Sequence, residues 1–144
     1  MFDYVPQGNL LFSGTIRENL LVVKPDATEE EIGQAVYVST MDEYLPQLPN
    51  GLDTVLGESG AGLSEGQAQR LAVGRAILGG APIILLDECT SALDNQTEKL
   101  ILQRLNELEN KMFIAVTHRP AAEDICDVRL QMSEGRVSIR TVDT

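Results

Sequence analysis

The hydrophobic pattern in the second half of the chain alternates between short apolar runs and a longer amphipathic segment. Ile83–Leu86 is a continuous apolar run after a proline, and Met112–Val116 is a second run of this kind. Such runs are typical of strands buried on both faces of a parallel sheet. Between them, residues 96–110 are predicted to form an amphipathic helix, with the apolar stripe Leu100, Ile101, Leu105 and Leu108. The order strand, helix, strand predicts an α/β fold with a parallel sheet.

The first half of the chain is predicted to be mostly helix and loop. Residues 2–6 are typical of a strand end, and they lead into a loop at residues 7–9. The pattern is helical from Thr15 to about Thr40, and residues 28–31 form a capping box with acidic residues in the first turn. Because the chain starts abruptly on strand-like residues, we expect it to begin inside a domain.

Turn-forming residues divide the remaining segments. Prolines and glycines between residues 46 and 62 predict loops, and Ser64 is predicted to cap a helix that reaches about Leu78. The sequence Gly-Gly-Ala-Pro at residues 79–82 ends that helix. Near the C terminus, residues 128–132 and 136–139 are predicted to pair as a hairpin.

Composition narrows the class of protein. A chain of 144 residues is long enough for one domain with an apolar core, and 43% hydrophobic residues suit a globular protein. Its net charge of −11 argues against a nucleic-acid partner, because phosphate contacts are made by Lys and Arg. Cys89 and Cys126 show neither metal-ligand spacing nor a disulfide framework, so a reducing compartment is expected. No apolar run approaches the roughly 20 residues that span a bilayer, and no signal peptide is recognisable.

Two carboxylates, Asp87 and Glu88, directly follow the run Ile83–Leu86. Parallel α/β sheets bind their ligands at the carboxyl ends of strands. One carboxylate there can hold Mg²⁺ through water, and the other can orient or deprotonate an attacking water. An acidic pair in a solvated turn would look the same in the sequence, so this feature alone leaves both interpretations open.

Two further polar residues gain meaning if they reach the same edge of the sheet. His118 follows the second predicted strand closely. A single histidine is more often structural, but beside the acidic pair it can hydrogen-bond a transferring γ-phosphate. Gln7 is an ordinary loop residue unless its strand joins the same sheet, in which case its amide approaches the metal and the water.

Other segments suit phosphate recognition only in part. Residues 64–67, Ser-Glu-Gly-Gln, place a hydroxyl and backbone N–H groups at a helix N terminus, which suits anion binding, but they equally satisfy an ordinary capping box. Residues 91–94, Ser-Ala-Leu-Asp, predict a tight turn and an N-cap. The chain contains no Gly-x-x-x-x-Gly-Lys phosphate-binding loop, because its three lysines are followed by Pro25, Leu100 and Met112.

In their order and spacing, these motifs resemble the nucleotide-binding domain of ATP-binding cassette (ABC) transporters. The resemblance covers essentially the whole chain: residues 4–7 are similar to the Q-loop, 63–67 to the signature motif, 83–88 to Walker B with its catalytic glutamate, 91–94 to the D-loop and His118 to the switch histidine. Residues 11–20 and 51–58 are similar to the exporter branch, in which a membrane domain precedes the nucleotide-binding domain.

The resemblance implies a partial P-loop NTPase-like parallel sheet with a helical subdomain that carries the signature motif. Residues 1–12 would hold the end of the Q-loop strand and the Q-loop, residues 13–78 the helical subdomain, and residues 79–144 the second half of the α/β core. Two such domains would close head to tail over two ATP molecules with Mg²⁺. They would lie at the cytoplasmic face of the cell membrane, where a transmembrane domain is the second partner.

The resemblance also implies roles for individual residues. Glu88 would be the general base and His118 would contact the γ-phosphate, while Mg²⁺ and water would be held by Asp87 and Gln7. The nucleotide of the partner domain would be clasped by Ser64, Gly66 and Gln67, and Asp94 would act at the same interface and signal across the dimer.

The chain departs from the family pattern in two ways, and these departures leave other functions open. Glu65 stands where glycine is usual, and its carboxylate would either repel ATP or point to solvent. The phosphate-binding loop would precede Met1, so we expect the isolated chain to be inactive and its open strand edges to favour oligomers or strand swapping. One alternative is a non-catalytic module that supplies the signature motif in trans to a complete nucleotide-binding domain. Another is a soluble ATPase head of the DNA-repair type, against which the acidic charge counts.

Overall fold

The computed structural model describes residues 1–8 and 10–141 as a mixed α/β fold. Its strands are β1 (Phe2–Val5), β2 (Gly14–Thr15), β3 (Val55–Leu56), β4 (Ile83–Asp87), β5 (Met112–Val116), β6 (Val128–Ser133) and β7 (Arg136–Thr141). Its α-helices are α1 (Ile16–Leu21), α2 (Glu29–Val38), α3 (Glu65–Gly79), α4 (Asn95–Asn106) and α5 (Pro120–Glu123). Asn9 in the predicted first loop, and residues 142–144 at the end of the predicted core, lie outside the described residues.

A three-stranded parallel sheet with the order β1–β4–β5 organises the molecule. Leu86 in β4 is in register with Val5 in β1 and with Ala115 in β5, so the three strands end at the same edge. The connection from β4 to β5 runs through α4, as the alternation of apolar runs and amphipathic helix predicts. This confirms the predicted α/β class and brings the loops after all three strands together.

Only one face of this sheet is covered by the described chain. Ile84 is 0% exposed and packs in the core, whereas Ile114 on the neighbouring strand is 47% exposed. The other exposed apolar side chains of β1 and β5 are Phe2, Tyr4, Met112 and Val116. The prediction that both apolar runs are buried on two faces is therefore wrong, because helices pack against one side of the sheet and none of the described residues covers the other.

Helices α1 and α2 both pack against α3. Thr28 caps α2 through the predicted capping box, with the Glu31 carboxylate accepting from the Thr28 N–H at 2.9 Å. The predicted helical pattern from Thr15 to about Thr40 consists of two helices, α1 and α2, with a break between them, and the second helix begins at the predicted capping box. Pro25 lies in this break, where it lacks an N–H and restricts the residue before it.

In the second half of the chain, the helix and hairpin form as predicted and differ only in where they end. Helix α4 ends at Asn106 rather than at residue 110, because the Leu108 N–H bonds the Leu105 carbonyl in a tightened last turn. The predicted hairpin is confirmed as β6 and β7, which pair with each other in a separate sheet and expose their side chains. Within residues 1–8 and 10–141, no helix is long and apolar enough to cross a membrane.

Candidate functional site

Three of the polar residues singled out in the sequence meet at the carboxyl edge of the sheet. The Glu88 carboxylate accepts a hydrogen bond from Gln7 Nε2 at 3.1 Å, and its other oxygen lies 3.0 Å from His118 Nε2. Each residue follows a different strand of the parallel sheet, and this topology is what joins them. We call Gln7, Glu88 and His118 the Glu88 cluster.

The backbone at Glu88 helps to fix this arrangement. Its N–H donates to the carbonyl of Val116 at 3.0 Å, which continues the pairing of β4 with β5 one residue beyond the strand. Its φ of +47° lies in the left-handed region, which is uncommon for a residue with a side chain and is associated with functional sites. The strand therefore turns sharply just where its carboxylate reaches Gln7 and His118.

Asp87 has a separate partner on the exposed face of the sheet. Its carboxylate accepts a 2.9 Å hydrogen bond from the hydroxyl of Tyr4, and this bond raises the pKa of the Tyr4 phenol. Tyr4 was recognised as part of a motif but not as a contact of Asp87. The signal was available, because Tyr4 pairs in register with Leu85, two residues before Asp87 and therefore on the same face.

The residues of the predicted signature motif form a second group at the start of α3. Ser64 Oγ accepts from the Gln67 N–H at 3.1 Å, and Gln67 Oε1 accepts from the Ser64 N–H at 2.9 Å. This reciprocal pair is the capping box that the sequence predicts. Glu65 beside it is exposed to solvent. The arrangement is compatible with both interpretations of this motif, anion binding and helix capping.

Gly66 brings the start of α3 against the turn that follows β4. A Cβ atom on Gly66 would lie 3.2 Å from the carbonyl oxygen of Ala92 and 3.3 Å from Leu93 Cδ2. Backbone packing this close has little room for a side chain. The predicted signature motif and the predicted D-loop are thus direct neighbours.

Asp94 ends that turn and caps α4, as its sequence predicts. Its carboxylate accepts from the Thr97 N–H at 2.9 Å and from the Thr97 hydroxyl at 2.9 Å. The backbone hydrogen bond of Thr97, followed by that of its hydroxyl, lowers the pKa of Asp94. The side chain is therefore held ionised at the N terminus of a helix, where the dipole also favours a negative charge.

Sequence reasoning missed two buried polar residues next to these groups. Gln69 is 4% exposed and hydrogen-bonds Ser91 and Ala92, while Glu98 is 1% exposed and contacts Thr90 and Arg119. A signal was present for both: Gln69 shares a helical face with Ala72 and Ala76, and Glu98 shares one with Ile101 and Leu105. A polar residue within an apolar stripe requires a partner, and the sequence alone does not say which.

Cys89, the residue after Glu88, has an inert environment. It is 4% exposed, and burial raises the pKa of its thiol to about 12. A thiol with so little thiolate is a poor nucleophile and a poor metal ligand at neutral pH. Among the described residues, no cluster of three or more His, Cys, Asp or Glu side chains is arranged to enclose a metal ion.

Comparison with known proteins identifies the relatives of this chain. The profile of the ABC transporter family matches residues 1–91. The chain is 41% identical over 138 residues to a probable multidrug resistance ABC transporter ATP-binding/permease protein, YheI of Bacillus subtilis, covering 95% of this chain and 24% of that protein. It is 43% identical over 129 residues to an ATP-dependent lipid A-core flippase of Chromobacterium violaceum, covering 89% of this chain and 22% of that protein.

A solved structure shows the same fold. The structure of a bacterial Atm1-family ABC exporter with ATP bound superposes with a TM-score of 0.88 at 33% identity, over 95% of this chain and 24% of that one. The chain thus spans about a quarter of the length of these relatives. From the family match and the shared fold, the chain belongs to the ABC transporter family.

Proposed function

We propose that this chain supplies the hydrolytic part of the ATP-binding domain of an ABC exporter, which couples ATP hydrolysis to transport across a membrane. The observation that carries the proposal is the Glu88 cluster, in which one carboxylate is contacted by an amide and an imidazole from two other strand ends. A general base needs a carboxylate that is oriented and accessible to water, and the Glu88 side chain is 27% exposed. Relatives of the chain carry the words ATP-binding/permease in their names.

Each residue of the Glu88 cluster has a role in this proposal. Glu88 takes the proton of the attacking water, and Gln7 orients that water and the Glu88 carboxylate. His118 donates to the γ-phosphate, and its side chain is 87% exposed, so a ligand can reach it. Hydrolysis of this kind depends on positioning and on electrostatic stabilisation more than on covalent chemistry.

Mg²⁺ fits the donors at this edge, with Asp87 and Gln7 as its proposed protein ligands. Mg²⁺ keeps several waters and takes one or two carboxylates in phosphate-transfer sites, so it does not require a closed cage of protein ligands. Asp87 provides one half-buried carboxylate at the strand end. When bound there, the cation would neutralise charge on the phosphates.

We propose that Ser64, Gly66, Gln67 and Asp94 contact the nucleotide held by a second ATP-binding domain. Support comes from their grouping at the start of α3 and in the adjoining turn. By the same reasoning, residues 1–12, 13–78 and 79–144 are a Q-loop segment, a helical subdomain and a part of the α/β core. A transmembrane domain would be the other partner, and the site would face the cytoplasm.

The proposal is tested by grafting the chain into YheI in place of the matching segment and measuring ATP hydrolysis and transport in proteoliposomes. We expect the chimera to be active, and Glu88→Gln to stop hydrolysis while ATP binding remains. Glu109→Gln, which changes an exposed acid, is the matched control and should hydrolyse ATP normally. Undiminished hydrolysis by the Glu88→Gln chimera would overturn the role of this carboxylate.

A second candidate is a non-catalytic module that offers the signature motif to a complete partner domain. It is favoured by one observation, the grouping of Ser64, Gly66 and Gln67 at the start of α3, which involves neither Glu88 nor His118. A calorimetric titration of the chain with Mg-ATP separates the two. Saturable binding supports a site within the chain, whereas no binding, together with altered turnover when the chain is added to intact YheI, supports the module.

A further inference from the structure

The turn between β4 and α4 is held by polar side chains from two other elements. We call residues 89–94 the linking turn. From α3, the buried Gln69 donates from Nε2 to Ser91 Oγ at 2.9 Å and accepts from the Ala92 N–H at 3.0 Å. Both ends of its amide are used on the same turn, so the position of α3 and that of the linking turn are tied together.

From the other side, Arg119 holds the same turn through its guanidinium group. It donates to the carbonyl of Thr90 at 2.6 Å, to the carbonyl of Leu93 at 2.8 Å and to Asn95 Oδ1 at 2.8 Å. These acceptors lie near the start of the turn, at its end and just beyond it. Arg119 spreads these contacts over two terminal nitrogens while its Nε faces Glu98, and a lysine ammonium, whose three donors share one nitrogen, cannot reproduce this set.

A buried carboxylate completes this network. Glu98 on α4 is 1% exposed, accepts from the Thr90 hydroxyl at 2.6 Å and pairs with Arg119 Nε at 3.1 Å. Burying a carboxylate is costly unless it is paired. Arg119 therefore has two separable tasks: its charge balances Glu98, and its fork holds the linking turn.

The position of Arg119 in the chain connects this network to the Glu88 cluster. It directly follows His118, and the linking turn directly follows Glu88. His118 itself is 87% exposed, with Glu88 Oε1 at 3.0 Å from its Nε2. A side chain so open to solvent depends on its backbone for its position, and the backbone next to it is anchored by Arg119.

We propose that Arg119 is a positioning residue: its guanidinium holds the His118 backbone and the turn after Glu88 in the relative placement that ATP hydrolysis requires, and Gln69 relays this placement to α3. The part of the test that measures ATP hydrolysis rests on the proposed function. The part that measures amide hydrogen exchange at the linking turn does not, because it needs no nucleotide.

The variant that separates the two tasks of Arg119 is Arg119→Lys, studied in the YheI chimera and in the chain itself. Lysine keeps a positive charge for Glu98 but loses the fork. We expect kcat for ATP hydrolysis to fall about 10- to 100-fold with little change in KM, because small displacements of reacting groups cost about this much. Amide hydrogen exchange at Leu93–Asn95 should accelerate. Arg129→Lys, in an exposed ion pair with Glu123, is the matched control and should change neither quantity.

The outcomes are distinct. If Arg119→Lys retains the parental kcat, or if exchange at the linking turn is unchanged, Arg119 only neutralises Glu98 and the proposal is wrong. Should this variant fold poorly, Arg119→Met combined with Glu98→Gln removes both charges, and recovery of full kcat in that double variant would also overturn the proposal. An inactive chimera without any substitution would count against the proposed function alone, and the exchange measurement would still decide the role of Arg119.

Discussion

Gln7 Nε2 lies 3.1 Å from Glu88 Oε2 and donates a hydrogen bond to it, so the loop after β1 contacts the end of the central strand. The two residues are far apart in the chain and meet only because β1 and β4 are parallel neighbours with aligned ends. This contact makes the neutrality of Gln7 important, since the amide can donate to a carboxylate where a second ionised carboxylate cannot.

Replacing Gln7 by glutamate should impair hydrolysis in the YheI chimera. Two carboxyl groups in contact share one proton up to a higher pH, because ionising both is costly, so less of the pair is fully ionised at neutral pH. We expect kcat to fall at least about 10-fold and the pH–rate profile to move to higher pH. The measurement is hydrolysis as a function of pH. Gln34→Glu, at an exposed position on α2, adds the same charge and should leave the profile in place.

Gly66→Ala should separate α3 from the linking turn. The new methyl group would meet the carbonyl oxygen of Ala92 at 3.2 Å, and a backbone atom has little freedom to move away. Gly33→Ala is the matched control, because no atom lies within 4 Å of its Cβ position and α2 should gain about 1 kcal/mol of helix propensity. We expect thermal melts of the chain to show stabilisation for Gly33→Ala and not for Gly66→Ala. Equal stabilisation of both would contradict the close packing seen at Gly66.

The buried phenol of Tyr44 should make the folded chain less stable at alkaline pH. Burial raises the pKa of its phenol above the usual value of 10.0, and the Arg70 guanidinium, which stacks on its ring at 4.7 Å, opposes this. A group whose pKa is raised on folding stabilises the fold fully below its unfolded pKa. That contribution is lost as the pH rises from about 10 through the folded pKa.

Tyr44→Phe removes this ionisation and also the 3.3 Å hydrogen bond from the Tyr44 hydroxyl to the carbonyl of Gln67. Denaturant titrations should show a variant that is about 0.5–1 kcal/mol less stable at neutral pH and has a smaller drop in unfolding free energy above a pH of about 10. The half-exposed Tyr37 supplies the control Tyr37→Phe, for which the alkaline drop should match that of the parent. An unchanged drop in Tyr44→Phe would exclude this phenol as its source.

The exposed face of the sheet predicts self-association of the isolated chain. Ile114 is 47% exposed and lies beside other apolar side chains of β1 and β5, and such patches favour contacts between molecules. We expect sedimentation to show oligomers that Ile114→Lys reduces without unfolding the chain. Ile84→Lys, which places the same charge at a position with 0% exposure, should unfold it. A parent chain that stays monomeric at all concentrations would disprove this expectation.

Much of the fold was accessible from local patterns, and the misses have physical causes. Capping boxes at Thr28 and Ser64 were predictable because each involves side chains and N–H groups only a few residues apart. The capping box at Thr28 also marked where α2 begins, after the break at Pro25. Burial of β4 and β5 on two faces was predicted from composition, but a strand's composition does not reveal whether other residues cover both of its sides.

For the candidate site, the sequence by itself determined the residue types and their places at strand and helix ends, because apolar runs and helix caps are local. Those places, with Glu88 after β4 and His118 after β5, were enough to predict one edge of a sheet. Only the tertiary structure decided the atomic partners: Gln7 on Glu88, Tyr4 on Asp87, and Arg119 on Glu98 and the linking turn. Such contacts join residues that are distant in the chain, and their geometry depends on strand register and helix packing, which no local pattern specifies.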